Sequence, residues 1–156
     1  MVLSLLHIEN IAVIECADIS FDNGFNVLTG ETGAGKSIVI DAISAILGER
    51  AYRDMIRTGA NKASVRAVFS DVPQLDWFAE NDVDYDSETI IQREVFLDGK
   101  NICRVNGTLV TVSILRKLGI QLINIHGQHD SASLFDEDNH LTFLDDFAGN
   151  YPLRTA

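Results

Sequence analysis

The chain has 156 residues, 46% of them apolar, and a formal net charge of −11. This length and composition suit one ordinary domain with a sizeable core and exclude wholesale disorder. The acidic balance argues against a strongly basic DNA-binding surface on this piece, and no apolar run approaches the roughly 18 residues that span a bilayer.

Residues 2–9 and 14–21 are short apolar stretches rich in branched side chains and read as strands. Asp22-Asn23-Gly24 is a turn signal, and a third strand is expected over residues 25–29. A helix follows over residues 36–47, because Val39, Ile43, Ile46 and Leu47 share one face and Gly48 supplies a stop. Residues 63–72 read as a further strand, and residues 73–87 as an acidic loop with a short helix over 75–79. Residues 90–97 and 100–105 form a hairpin around Asp98-Gly99, Asn106-Gly107 makes a second turn, and Thr111 caps a short helix ending at Leu118-Gly119. Residues 120–125 are almost all apolar and read as a strand buried on both faces of a parallel sheet. The polar cluster His126-Gly127-Gln128-His129-Asp130 ends it, and a last helix over residues 140–147 closes at Gly149. The chemistry-bearing segment sits between the third strand and the first helix.

Gly30-Glu31-Thr32-Gly33-Ala34-Gly35-Lys36-Ser37 matches G-x-x-x-x-G-K-[ST] without a gap. A loop that wraps a phosphate must turn several backbone N–H groups inward, and glycines at 30, 33 and 35 permit those turns. The helix beginning near Lys36 presents its positive end to the anion. In this reading Lys36 reaches the β and γ phosphate oxygens and the Ser37 hydroxyl ligates magnesium, so the predicted cofactors are ATP and Mg²⁺. The motif alone leaves the class open, since small kinases, GTPases and ABC-type ATPases share it. Asn61-Lys62-Ala63-Ser64 begins like a guanine-reading N-K-x-D element, but Ser64 replaces the aspartate and the segment lies too close to the loop.

Several further segments carry a resemblance. Leu6-His7-Ile8-Glu9-Asn10-Ile11 looks like the opening L-x-I-x-N-[FI] strand of SMC-like ABC ATPases. The glycine loop followed by Ile40-Asp41-Ala42-Ile43, then Gly48-Glu49-Arg50-Ala51, Ile56-Arg57-Thr58-Gly59-Ala60 and Ala63-Ser64-Val65-Arg66-Ala67-Val68-Phe69, continues it. Ile123-Asn124-Ile125-His126-Gly127-Gln128-His129 is the most distinctive piece and is similar to I-x-I-H-G-Q-H. Over about 145 residues from its start the chain resembles the N-terminal part of the RecN family of bacterial DNA repair proteins. That resemblance implies a head folded from the N- and C-terminal segments of a longer chain, with an antiparallel coiled coil inserted between them. Two such heads sandwich two ATP molecules in the service of double-strand-break repair. It also implies that Gln128 touches magnesium and the attacking water, and that Arg57 lies near the nucleotide.

The complete pattern of such a head is not met. No apolar strand ends in Asp-Glu, and no L-S-G-G signature occurs. Leu134-Phe135-Asp136-Glu137 has only two apolar residues before its acids, Val83-Asp84 lies in a polar loop, and Leu144-Asp145-Asp146 sits on an expected helix. The catalytic carboxylate and the signature loop are therefore expected in a C-terminal lobe.

Other residues read more blandly. His126, His129 and Asp130 make a weak zinc motif, and a satisfied polar cluster is the simpler account. Glu31 reads as solvent-facing, with a contact across a dimer as the sharper alternative. Arg93 and Arg104 read as exposed cations of the hairpin, a DNA-facing or nucleotide-edge role staying open. Trp77 and Phe78 read as local core, and Cys16 and Cys103 as buried thiols in a reduced, cytoplasmic protein that makes no disulfide framework. The N-terminus has neither a basic start nor a small-residue cleavage site, so it does not read as a signal peptide.

The expectation is thus an α/β P-loop NTPase, the N-terminal lobe of an ABC-type, SMC-like ATPase head with an antiparallel β portion. The lobe spans residues 1–150, and residues 151–156 begin the segment leading toward the coiled coil. Gly30, Glu31, Thr32, Gly33, Ala34, Gly35, Lys36, Ser37 and Arg57 are the predicted ATP-binding residues, Ser37 and Gln128 the magnesium-facing ones, and Gln128 and Lys36 the catalytic ones. The predicted partners are the C-terminal lobe of the same protein, a second head, and DNA through the full-length protein, with no membrane and a nucleoid-associated location in the cytoplasm. The alternatives are a complete small P-loop kinase or phosphotransferase, which would need its own acidic strand and an arginine-rich lid, and a non-catalytic nucleotide-binding module.

Overall fold

A computed structural model describes residues 1–29, 35–123 and 125. Its framework is a six-stranded sheet: β1 (Val2–Ile11), β2 (Ile14–Ser20), β3 (Lys62–Ser70), β4 (Thr89–Phe96), β5 (Asn101–Val105) and β6 (Thr108–Val110), in the spatial order β2-β1-β3-β4-β5-β6. All five strand pairings are antiparallel. Among the described residues three α-helices accompany it: α1 (Gly35–Ile46), α2 (Asp76–Glu80) and α3 (Val112–Leu122).

Alternation decides the two faces of the sheet. Leu6 and Ile8 stand opposite Ala67 and Val65, which stand opposite Ile91 and Arg93, and these in turn face Val105 and Cys103. All of them are buried. Helix α1 lays Ile38, Val39, Ala42, Ala45 and Ile46 onto this face against β1, β3 and β4, and α3 adds Leu115, Leu118 and Leu122 beside β5. Trp77 and Phe78 of α2 are buried as expected, and the Trp77 indole donates to the Ile114 carbonyl at 3.1 Å. On the opposite face Lys62 and Arg104 both pair with Glu94.

The expected elements at residues 2–9, 14–21, 63–72, 75–79, 90–97 and 100–105 appear with shifted ends, and Thr111 caps α3 by accepting from the Ile114 N–H at 3.2 Å. Helix α1 stops where Gly48 adopts φ +87°; Gly48 N–H bonds to Ala45 O and Glu49 N–H to Ser44 O, at 3.2 and 3.1 Å, a glycine-ended closure of the last turn.

Several expectations are corrected. Residues 25–29 are not a strand: Phe25, Val27 and Leu28 are exposed, and no neighbouring strand among the described residues offers their backbone a partner. Residues 120–122 are not a strand either, because α3 runs through Gly119 to Leu122, where the spacing of Leu115, Leu118 and Leu122 keeps one helical face buried. Accordingly no parallel pairing occurs among the described strands. β6 was not anticipated; it follows the Asn106-Gly107 turn. Cys103 is buried as expected, but Cys16 is exposed on edge strand β2. The expected last helix and closing glycine lie outside the described residues.

Candidate nucleotide-binding site

Of the phosphate-loop motif, Gly35, Lys36 and Ser37 are described, and they form the first three positions of α1. Gly30, Glu31, Thr32, Gly33, Ala34 and the polar cluster with Gln128 lie outside the described residues, as do Leu134 to Glu137 and Asp145-Asp146. The three described motif residues are exposed, whereas Ile38 and Val39 immediately after them are buried. The helix therefore begins with an exposed turn and packs into the core through the residues that follow, Ile38 and Val39. No acidic residue stands in that turn, so no side chain of the turn itself offsets the partial positive charge of a helix start. Exposed amides, an ammonium and a hydroxyl at one helix start fit an anionic phosphate chain with its magnesium.

A cleft of about 360 Å³ runs along the flank of α1, from Ile38 past Asp41 to Ser44, and is walled on its other side by Ile11 and Tyr52. The Arg50 guanidinium sits 4.9 Å from the centre of the Tyr52 ring.

Arg57 is placed differently. Its backbone N–H donates to Asn10 O at 2.9 Å, its Nη1 to Val13 O at 2.9 Å, and its Nη2 lies 3.5 Å from a Glu15 carboxylate oxygen. The side chain is thus fastened to the turn between β1 and β2, at the edge of a cleft that also includes Thr58 and Asn61.

The hairpin arginines differ from expectation and from each other. Arg104 is partly exposed and pairs with Glu94 at 3.4 Å. Arg93 is buried, at 2% exposure, and its guanidinium is bonded to the carbonyl end of α1. Burial pulls it below its ordinary value, against the opposing pull of Cys103 and Glu49. The signal was present in the sequence: Ile91, Arg93 and Val95 alternate, so Arg93 shares their core-facing parity. Among the described residues no group of His, Cys, Asp and Glu could hold a metal ion, and no helix is long and apolar enough to cross a membrane.

A family model described as "AAA domain" matches residues 5–145. The chain belongs to the AAA-domain family. The DNA repair protein RecN of Bacillus subtilis is 48% identical over 151 residues, which is 94% of this chain and 26% of that protein. The DNA repair protein RecN of Halalkalibacterium halodurans is 45% identical over 155 residues, 97% of this chain and 27% of that protein. The match is to the N-terminal part of RecN, and the chain spans about a quarter of the length of these relatives. Among solved structures, the SMC head domain from Thermotoga maritima aligns with TM-score 0.59 and 27% identity over 76% of this chain and 42% of that one. A structure described as "Structural biochemistry of ATP-driven dimerization and DNA stimulated activation of SMC ATPases" aligns with TM-score 0.69 over 93% of this chain and 98% of that one; at 23% identity it supports the fold. This AAA-domain chain is therefore a P-loop α/β fold of the SMC-head type, with an antiparallel sheet.

Proposed function

We propose that this AAA-domain chain is the ATP-binding half of an SMC-like ATPase head that acts in DNA double-strand-break repair. Residues 1–150 form the lobe, and residues 151–156 lead toward a coiled coil. The observation that carries the reading is the exposed Gly35-Lys36-Ser37 start of a helix whose first turn carries no acid and whose next residues, Ile38 and Val39, are buried, in a chain similar to RecN over nearly its whole length. Gly30 to Gly35 wrap the phosphates with backbone amides, Lys36 neutralises the β and γ oxygens, and Ser37 and Gln128 face the magnesium. Arg57, whose side chain is fastened to the turn between β1 and β2, contributes a cation near the nucleotide. Magnesium supplies charge neutralisation between the β and γ phosphates.

Hydrolysis requires the C-terminal lobe of the same protein and a second head, and DNA is engaged by the full-length protein. Two observations support a covering partner. Phe25, Val27 and Leu28, just before the phosphate loop, are 93%, 63% and 43% exposed, as is Ile40 on α1 at 44%. The SMC relative of the same fold is described by ATP-driven dimerisation and DNA-stimulated activation.

Titration calorimetry with Mg-ATP tests the site. The chain binds, and Lys36→Ala weakens binding about tenfold to a hundredfold, because a charge-assisted bond to phosphate is worth about 1.5–3 kcal/mol. Equal affinities of parent and variant would refute the reading. A preference for GTP of about a hundredfold, or roughly 2.7 kcal/mol, would move the chain to the GTPase class.

A further inference from the structure

Arg93 holds the opposite end of the helix that carries Lys36. Its Nη1 donates to Ala45 O at 2.7 Å and to Glu49 O at 2.6 Å. Its Nε and Nη2 both donate to Oδ1 of Asn101 on β5, at 3.2 and 3.0 Å. Ala45 lies in the last turn of α1, and Glu49 follows the Gly48 stop. Arg93 itself is buried between Val65 and Cys103 on the neighbouring strands; its bond to Ala45 lies in the core, and those to Glu49 and Asn101 lie at the core's edge.

An apolar side chain would fill that space without the cost of desolvating a guanidinium. What an apolar side chain cannot do is bring a positive charge to the carbonyl end of α1 and tie that end to two strands at fixed distances. The fork of the guanidinium is itself aimed by Asn101, which accepts from two of its nitrogens. A helix of 12 residues is a rod of about 18 Å, so an error at its carbonyl end is carried to its phosphate end. Binding constellations must be held to about 0.5 Å.

We propose that Arg93, aimed by Asn101, is a positioning residue for nucleotide binding: it fixes α1 on the sheet and thereby sets where Gly35, Lys36 and Ser37 meet the phosphates. The inference rests on the Mg-ATP reading above. It assigns Arg93 no contact with nucleotide.

The test is Mg-ATP titration of the chain with Arg93→Met, Arg93→Lys and Asn101→Ala, alone and combined with Lys36→Ala. Arg93→Met fills the space without the charge; it folds and binds about tenfold more weakly. Arg93→Lys restores part of the loss by returning the charge. In the Lys36→Ala background the Arg93→Met penalty shrinks, because Arg93 acts, from the far end of α1, through the same phosphate contact that Lys36 makes. A folded Arg93→Met with parental affinity overturns the proposal. So does an undiminished penalty in the Lys36→Ala background, which would mean that Arg93 acts on the whole fold and not on the phosphate end. If Arg93→Met does not fold, Asn101→Ala decides: a several-fold loss supports the proposal and parental affinity overturns it. Failure of the parent chain to bind Mg-ATP removes the reading of the site instead. The anchoring is then judged by amide exchange of Val39 to Asp41, expected to quicken in Asn101→Ala while β3 is unchanged; unaltered exchange overturns it.

Discussion

Gly119 of α3 lies flush on Leu47, the residue that follows α1: a Cβ at position 119 would stand 2.2 Å from the Leu47 carbonyl oxygen. Gly48 makes the reciprocal approach, since a Cβ there would meet the Arg116 backbone nitrogen at 2.5 Å. Two glycines thus let the backbones of α1 and α3 touch, and Arg116 and Glu49 close the contact with an ion pair at 3.2 Å. Glycine inside a helix ordinarily loses up to about 1 kcal/mol relative to alanine. Here the clash is with backbone, which cannot swing aside, so Gly119→Ala destabilises by about 1–3 kcal/mol. Ile120→Ala, at a position 71% exposed, changes stability by less than about 0.5 kcal/mol. Urea unfolding of both variants measures the difference; a stabilised Gly119→Ala would show that the helices have room.

Stability on the acid side depends on Glu94. The hydrogen bond from Lys62 holds its carboxyl below its ordinary value of 4.5, against the upward pull of partial burial, with the charges of Lys62 and Arg104 adding to the depression. A depressed carboxylate stabilises the fold fully above its unfolded value and loses that contribution as pH falls through the folded one. Glu94→Gln should therefore lower the thermal midpoint at about pH 7 and lose its disadvantage progressively below about pH 4.5. A parallel shift of the two curves at every pH would contradict the assignment.

The two cysteines should react on different timescales. Cys16 is exposed, while Cys103 is buried at 2% exposure and burial raises its thiol above 9.0, only partly opposed by the Arg93 charge. A thiol reagent should label one cysteine promptly and the other slower by on the order of a hundredfold or more, after local opening. Cys16→Ser should remove the prompt phase. Prompt labelling of Cys103 would mean that β5 opens readily.

Turnover should need more than this chain. Hydrolysis requires the γ-phosphate held, magnesium placed and a water oriented or deprotonated for in-line attack. Residues 30–37 serve the first two needs in the proposed reading, and Gln128 could orient water, but an amide is a poor base. General-base catalysis is typically worth about a hundredfold to ten-thousandfold. Steady-state phosphate release should be at trace level for the chain alone and should rise on adding a separately produced C-terminal lobe. Fast release by the chain alone, abolished in Lys36→Ala, would mean that the catalytic set is complete here.

The elements that depend on neighbours in sequence were legible. α1 announced itself by apolar spacing and the Gly48 stop, and Thr111 by its capping chemistry. The β4–β5 hairpin was readable from two alternating runs around Asp98-Gly99. Residues 25–29 and 120–122 were misread because branched apolar runs suit a strand or a buried helix equally. Which one forms depends on what lies alongside: Leu118 and Leu122 find the core as helix, and residues 25–29 find no strand to pair with among the described residues.

The G-x-x-x-x-G-K-[ST] motif is a property of the sequence by itself, because Gly30, Gly35, Lys36 and Ser37 stand within eight consecutive residues, and the proposed phosphate-binding reading needs only their order. The family likewise follows from sequence, read first from motifs and then from identity along nearly the whole chain. The anchoring of that helix belongs to tertiary structure alone. Arg93 is separated from Ala45 by 48 residues and is brought to it only when β4 takes its place beside β3. Its charge is meaningful there because the core removes water from the guanidinium and leaves the carbonyls of α1 and the amide of Asn101 as its partners.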